Sequence, residues 1–327
     1  MSTARARRPN TPSLSADDRE LWKRRLPAAI LMISASLIGC AGAPPPLDGY
    51  PHRDSRTTEI DGITVHYLDF NPDATGGTLV WVHGQSGAAL ETWYLMDHLG
   101  KDYRLIAIDM PGAGLSEKPK MRYTAELYQQ VLTLFLEELA LERYVLVGHS
   151  MGAVTVTSVA AQAPVGLEKL ILVAPYFFPG QPGGFLELMS NTGFLVNIAM
   201  QLYAPWMLRA IVSGNAFYDS SRVPEELLNT YLTAVFHTPN GRGALASVTR
   251  RIVGKRRDPA LLESLPIPTL ILWGREDRVL SYRYAERFPQ TIPTSRLVTI
   301  ENCGHVPHVE RPGVVAKEIR QFIESRW

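Results

Sequence analysis

The run Gly148-His149-Ser150-Met151-Gly152 follows the apolar stretch Tyr144–Val147 and leads directly into a helix-period segment. A serine at the apex of a sharp strand-to-helix turn, with a glycine two positions to either side leaving room for neighbouring backbone, presents its hydroxyl as a nucleophile. The alternative is a serine that only caps the helix. A hydroxyl is a poor nucleophile at neutral pH and needs a base to take its proton. Of eight histidines, His305 lies directly after the last expected strand and before the last helix, in Asn302-Cys303-Gly304-His305-Val306-Pro307-His308. His308 competes; His305 is favoured because it follows the strand more closely, which leaves His308 as a helix-entry residue. The imidazole in turn needs an acid to fix its tautomer and offset its transient charge. Asp277, in Trp273-Gly274-Arg275-Glu276-Asp277-Arg278, meets that need and falls between Ser150 and His305 in the chain. Glu276 is the adjacent rival, and the bland reading of Asp277 is a solvated carboxylate paired with Arg275 or Arg278. A developing oxyanion requires fixed donors. Met151 N–H, at the start of the helix, and Gln85 N–H, in His83-Gly84-Gln85-Ser86-Gly87, are the candidates, with Ser86 the second choice. His83 and His149 flank the same region and read as structural hydrogen-bonding residues. This chemistry is acyl transfer to water without a metal or cofactor, and no clustered His/Cys/Asp spacing calls for a metal.

The elements that must hold these groups alternate in kind. Thr57–Ile60 and Ile63–Phe70 flank Asp61-Gly62 with alternating polarity, which predicts a β-hairpin. Short, nearly continuous apolar runs follow at Thr78–Val82, Tyr103–Ile108, Tyr144–Val147, Lys169–Val173, Thr269–Trp273 and Arg296–Ile300, as strands buried on both faces require. Helical periodicity lies between them, at Thr124–Leu139 with Thr124 as N-cap, Met151–Ala163, Tyr282–Phe288 and Pro312–Ile323. The expected fold is α/β, with a mostly parallel central sheet flanked by helices. From about residue 177 to 262 the alternation stops and helix-like segments take over (Phe185–Met189, Phe194–Met200, Trp206–Ile211, Glu225–Val235). A structureless loop of that length does not belong in a compact domain. The segment reads as a helical cap inserted into a core of residues 57–176 and 263–327. Its aromatic residues Phe177, Phe178, Phe185, Phe194, Trp206 and Phe217 lie in or near the roof over Ser150, some of them as cap core.

Taken together these motifs resemble the α/β-hydrolase superfamily over about residues 57–327: H-G-Q-S-G after the third strand, D-M-P-G-A-G-L-S at Asp109–Ser116, G-H-S-M-G at the elbow, G-R-E-D ending on Asp277, and G-H-V-P-H-V-E-R-P at His305. The resemblance implies the α/β-hydrolase fold, a Ser150–Asp277–His305 triad and no metal, and it assigns Asp109–Ser116 to loop geometry. Serine at the elbow departs from the epoxide hydrolases and haloalkane dehalogenases, which carry aspartate there, and fits lipases, esterases and cofactor-free haloperoxidase-like members. The implied activity is hydrolysis of a small-molecule or lipid carboxylic ester. A carbon–carbon bond hydrolase of the ring-cleavage type is the enzymatic alternative, although that group usually has Trp after its catalytic histidine where this chain has Val306. A non-enzymatic binding protein on the same scaffold would have no reason to keep all three groups.

With 327 residues, 46% hydrophobic and 20% charged, the chain has ordinary globular composition. Thirty-three Lys and Arg against 32 Asp and Glu leave +1, which offers no general attraction for nucleic acid. Seven of the basic and three of the acidic residues lie in residues 1–39. There Lys23-Arg24-Arg25 precedes the uncharged run Leu26–Gly39, too short for a membrane span and blocked downstream by Pro44-Pro45-Pro46. This reads as an export signal. Its end, Leu37-Ile38-Gly39-Cys40, resembles the lipobox of bacterial lipoproteins, which makes Cys40 the expected lipid anchor and residues 40–56 a linker holding the enzyme at the cell envelope. Plain secretion is the alternative. About twenty residues precede the usual start of such a signal. With Cys303 the only other cysteine, a lipidated Cys40 leaves no internal disulfide, and no obligate protein partner is evident.

Overall fold

A computed structural model describes residues 53–178, 181, 202–253, 255 and 257–325. The expected signal, the Cys40 anchor, nearly all of the linker and the segments Phe185–Met189 and Phe194–Met200 lie outside the described residues.

Eight strands form one sheet: β1 Ser55–Ile60, β2 Ile63–Phe70, β3 Thr78–Val82, β4 Arg104–Ile108, β5 Tyr144–His149, β6 Leu167–Val173, β7 Thr269–Gly274 and β8 Ser295–Ile300. Their order is β1-β2-β4-β3-β5-β6-β7-β8. β1 and β2 form the antiparallel hairpin, turning at Asp61 and Gly62, both at positive φ. β2 also pairs antiparallel with β4, and every later pair is parallel. The protein has the α/β-hydrolase fold.

Helices cover both faces of the sheet: α1 Trp93–Leu99, α2 Ala125–Leu139, α3 Gly152–Ala160, α4 Pro205–Ile211, α5 Glu225–Leu232, α6 Gly241–Val248, α7 Ala260–Glu263, α8 Arg287–Thr291, α9 Pro307–Glu310 and α10 Pro312–Glu324. The strand period of two sorts the core. Val80, Val82, Leu146, Ile271 and Trp273 face α2 and α3. Leu79, Trp81, Val145, Val147, Leu270 and Leu272 face the side covered by α1 and α10. Such two-sided burial explains why the strand sequences are continuously apolar. Thr124 caps α2, its hydroxyl accepting from Leu127 N–H.

Between β6 and β7 lie α4, α5 and α6, each ending in a wider π-type turn (Val212–Ala216, Thr233–His237, Thr249–Val253). Tyr203, Leu208, Phe217, Leu227, Leu228 and Tyr231 form a separate apolar cluster there, packed down on Ala88, Val306 and Val309 of the core.

Three expectations are adjusted. β1 begins at Ser55, inside the expected linker. The expected helix Tyr282–Phe288 is instead a short 3₁₀ turn, Tyr282–Tyr284, followed by α8. Pro289 explains the restart, because its ring would clash with the carbonyl four residues back in a continuous helix but fits the first turn of a new one. Finally, Trp206 is 67% exposed, and Phe177 and Phe178 pack in the sheet-side core, Phe178 edge-on to Phe288.

Candidate active site

Strand β5 delivers Ser150 into a left-handed conformation, φ 51°. A residue with a Cβ adopts that region at a cost, and the surroundings hold it there. Ser150 N–H donates to Val173 O at 2.9 Å, and its carbonyl accepts from Tyr176 N–H at 3.0 Å. The two flanking glycines are needed for close approach: a Cβ on Gly148 would lie 2.4 Å from Val156 Cγ2, and one on Gly152 2.4 Å from Val82 O. The turn after the strand thus presses the start of α3 against the end of β3.

His305 stands in the loop after β8. Its Nε2 lies 2.9 Å from Ser150 Oγ and its Nδ1 2.8 Å from Asp277 Oδ2. Asp277, in the loop after β7, is fixed at both oxygens. Oδ1 accepts from Val279 and Leu280 N–H at 2.8 Å each, and Oδ2 accepts also from Trp273 Nε1 at 3.1 Å. All three residues are buried. The two rivals face elsewhere. Glu276 accepts from Cys303 N–H at 2.9 Å, bracing the loop that leads to His305. His308 donates from Nε2 to Glu91 Oε2 at 3.1 Å and packs against Trp81.

Met151 sits at the start of α3. Gln85 follows β3 in a loop that touches the Ser150 turn, since a Cβ on Gly84 would be 3.0 Å from Ser150 Cβ. The Gln85 side chain is tied to Thr249 Oγ1 of the segment after α6, 2.5 Å away. His83 is structural, donating from Nδ1 to Gly84 O at 2.6 Å and accepting Met110 N–H at Nε2, 3.0 Å. Asp109 holds its own loop, accepting Ala89 N–H at 2.6 Å and Leu115 N–H at 2.9 Å.

A cavity of about 310 Å³ opens over Ser150, His305 and Gln85. Leu208, Ile211, Val212, Phe217, Leu245 and Val306 supply much of its apolar wall. Of the aromatic residues expected in the roof, Phe217 is the one that lines the cavity among the described residues, joined by Tyr203 and Tyr231. Arg278 is the only Lys or Arg among the described lining residues, and it donates to Gly214 O at 3.3 Å.

Three polar residues that the motifs did not single out complete the site. Glu91, Tyr231 and Glu310 are all buried. Tyr231 of α5 donates to Glu91 Oε1 at 2.6 Å. Burial would raise the Glu91 carboxyl, but hydrogen bonds and charge interactions with His149 and His308 outweigh it and hold it well below the usual carboxylate range. Burial pushes His308 down to about 4, so it is a neutral donor to that carboxylate. Glu91, His149 and His308 are also the one trio among the described residues with metal-ligand atoms all within 4.8 Å of one another. Glu91 and His308 already spend facing atoms on each other in a hydrogen bond. Glu310 accepts from Gly304 N–H at 2.7 Å, Tyr218 N–H at 3.1 Å and Asp219 N–H at 2.9 Å. Glu310 lies inside the histidine motif and could have been noticed there. Locally Glu91 shows only as an N3 acid accepting Ala88 N–H, while its Tyr231 and His308 partners lie 140 and 217 residues away.

A parallel sheet with a nucleophile-type turn after β5, an acid after β7 and a histidine after β8 defines a hydrolase class. Residues 79–318 match the family described as the alpha/beta hydrolase family, and the chain belongs to it. It is 31% identical over 283 residues to 2-hydroxy-6-oxononadienedioate/2-hydroxy-6-oxononatrienedioate hydrolase 2 of Pseudomonas putida, covering 82% of this chain and 94% of that protein. It is 29% identical over 279 residues to the uncharacterized hydrolase YugF of Bacillus subtilis, covering 82% and 97%. Among solved structures, a bacterial membrane phospholipase A superposes with a TM-score of 0.72 at 22% identity, over 94% of this chain and 98% of that one.

Proposed function

We propose that the protein hydrolyses carboxylic esters through an acyl-enzyme on Ser150. The observation that carries this reading is the unbroken line Ser150 Oγ, His305 Nε2, His305 Nδ1, Asp277 Oδ2, with contacts of 2.9 and 2.8 Å, opening on a largely apolar cavity. As the Ser150 oxygen bonds to the ester carbonyl carbon, its proton passes to His305 Nε2, and Asp277 offsets the imidazolium charge. The carbonyl oxygen takes up negative charge at the Met151 and Gln85 amides. Collapse breaks the bond to the alcohol oxygen, which leaves with the proton from His305. Water, deprotonated by the same imidazole, then releases the acid and restores Ser150.

The P. putida relative supports a second reading, hydrolysis of a carbon–carbon bond by the same residues. The substrate named for that relative is a diacid. A dianion calls for cationic partners, and Arg278 is the only Lys or Arg among the described lining residues of this cavity. The wall therefore favours an uncharged acyl group, either a small-molecule or a lipid ester. The Cys40 sequence adds the proposal of a lipid anchor at the cell envelope, which would keep the enzyme beside lipid substrates.

A panel of esters of increasing acyl length, assayed with wild type and Ser150→Ala, tests this function. Each methylene buried against the wall is worth ~0.8 kcal/mol, so kcat/KM should rise about fourfold per carbon until the cavity is full. Ser150→Ala should lose both turnover and labelling by a serine-directed phosphonate. A flat or falling series, with preferred cleavage of a vinylogous diketone, would replace the ester reading by the carbon–carbon one.

A further inference from the structure

His305 is held through both of its backbone polar groups, and both lead to the helical segment between β6 and β7. Its N–H donates to Ala216 O at 2.7 Å, directly across to that segment. Its carbonyl accepts from His149 Nε2 at 2.9 Å. Because a carbonyl only accepts, Nε2 of His149 carries the proton, and Nδ1 of the same ring faces Glu91 Oε2 at 3.5 Å. Glu91 is the centre of this second route. Besides His308 it receives Ala88 N–H at 3.3 Å and, from α5, the Tyr231 hydroxyl at 2.6 Å. A carboxylate this deeply buried is tolerable only while its donors surround it. It stays ionised because the two histidines outweigh the burial that would protonate it. Glu310 braces the first route, joining Gly304 N–H, next to His305, to the Tyr218 and Asp219 amides. A side chain on Gly304 would meet Ala216 O at 2.5 Å, so the two loops are packed in backbone contact.

We propose that the cap is the mount of the catalytic base: Glu91 and Glu310 are positioning residues that transmit the docked state of the cap, through Tyr231 and through residues 216–219, to the geometry of His305. The proposal rests on His305 acting as base to Ser150. It departs from the ordinary view of a cap as a roof that only selects substrate. Here one inserted segment shapes the acyl pocket and sets the aim of the imidazole, so a displaced cap leaves Ser150 in place but without an aligned base.

Tyr231→Phe removes one hydroxyl and keeps the ring on the cavity wall; Glu91→Gln and Glu310→Gln keep the side-chain shape while turning one acceptor oxygen into a donor. The primary readout is the rate of Ser150 labelling by a small phosphonate. That step needs the nucleophile and its base but no particular ester. Steady-state kcat and KM on a short ester and thermal melting accompany it. The labelling rate and kcat should fall together by about tenfold or more, the scale one hydrogen bond to a buried charge can carry, with KM within about twofold of wild type. Lower melting temperatures with unchanged labelling and kcat would show that the two carboxylates only stabilise the fold, and would overturn the proposal. A rise confined to KM would overturn it too, since that is what loss of a pure substrate-wall contact produces. If Glu91→Gln fails to fold, Tyr231→Phe decides for the Glu91 route and Glu310→Gln for the other. Absence of Ser150 labelling in the wild type would defeat the triad reading itself, a result distinct from all of these.

Discussion

Asp277→Asn exchanges one carboxylate oxygen for an NH₂ and should cost the enzyme nearly all its turnover. In the native site both carboxylate oxygens only accept: Oδ1 from the Val279 and Leu280 amides, and Oδ2 from His305 Nδ1 and Trp273 Nε1. An asparagine must place an NH₂ at one of those positions. If the amide nitrogen takes the Oδ1 position it faces two backbone N–H groups that cannot turn away. The carbonyl oxygen therefore keeps that side, and the NH₂ is left facing His305. The imidazole can then satisfy the contact only by presenting the Nδ1 lone pair, which moves its proton to Nε2. Nε2 is the atom 2.9 Å from Ser150 Oγ, and once protonated it cannot take the serine proton. Losing both the tautomer and the counter-charge lowers kcat by about 10⁴ in triads of this type, or ~5 kcal/mol of transition-state stabilisation. KM should stay near wild type, because Asp277 does not line the cavity. The assay is steady-state hydrolysis of a short ester beside circular dichroism to show a native fold. A kcat within tenfold of wild type in a folded variant would refute the tautomer argument and with it the assignment of Asp277.

His305→Ala should abolish turnover and slow phosphonate labelling of Ser150, whereas His308→Ala should retain a measurable rate while losing ~3 kcal/mol of stability from the lost ring packing and the exposed Glu91 charge, read by denaturant melts. Stability should also fall on acidification. The folded pKa of His308 is about 4 against 6.5 in the unfolded chain, so between those values the unfolded state binds the extra proton, and folding should weaken by about 2 kcal/mol from pH 7 to pH 5. Glu91 adds loss in the same direction at lower pH, its carboxyl being depressed in the folded state. His308→Gln, which keeps a donor and cannot titrate, should lose the first part of that slope. Cys40→Ser should move the protein out of the membrane fraction or leave it unprocessed, with full ester hydrolysis by the freed enzyme; a wild-type protein found wholly soluble, with a mature N-terminus other than residue 40, would remove the anchor proposal.

The strands were legible because burial on both sheet faces leaves no polar alternation to confuse them: the runs at Thr78, Tyr144 and Thr269 begin at the same residues as β3, β5 and β7. The expected helix at Tyr282–Phe288 failed because apolar spacing outvoted the proline that follows it. α1 and α6, of seven and eight residues, were not among the expected helices. At the site, Ser150, Asp277 and His305 could be singled out because each stands at a strand end, where chain order alone places side chains on one edge of a parallel sheet. The contacts that hold them are of another kind. Tyr231 to Glu91 spans 140 residues, and two of the Glu310 partners, Tyr218 and Asp219, are some 90 residues upstream. No local pattern encodes a pairing at such distance.

This difference has a chemical consequence. The sheet edge supplies the Ser150 turn and the Asp277 loop with little help: Ser150 is held by Val173 and Tyr176, and Asp277 by residues within four positions of itself. His305 has no such local scaffold. Its ring is aimed by Asp277, but its N–H donates to Ala216 O, and its own carbonyl accepts from His149, whose ring in turn faces Glu91. The same stretch of chain that contributes Leu208, Val212, Phe217 and Tyr231 to the cavity wall also contributes Ala216 O, which accepts the His305 N–H. Changes in that stretch that reshape the cavity therefore act on a structure already bonded to His305, so substrate range and turnover should vary together in variants near Ala216 and Phe217 and separately in variants near Leu208, which touches the cavity at a site removed in sequence from those bonds.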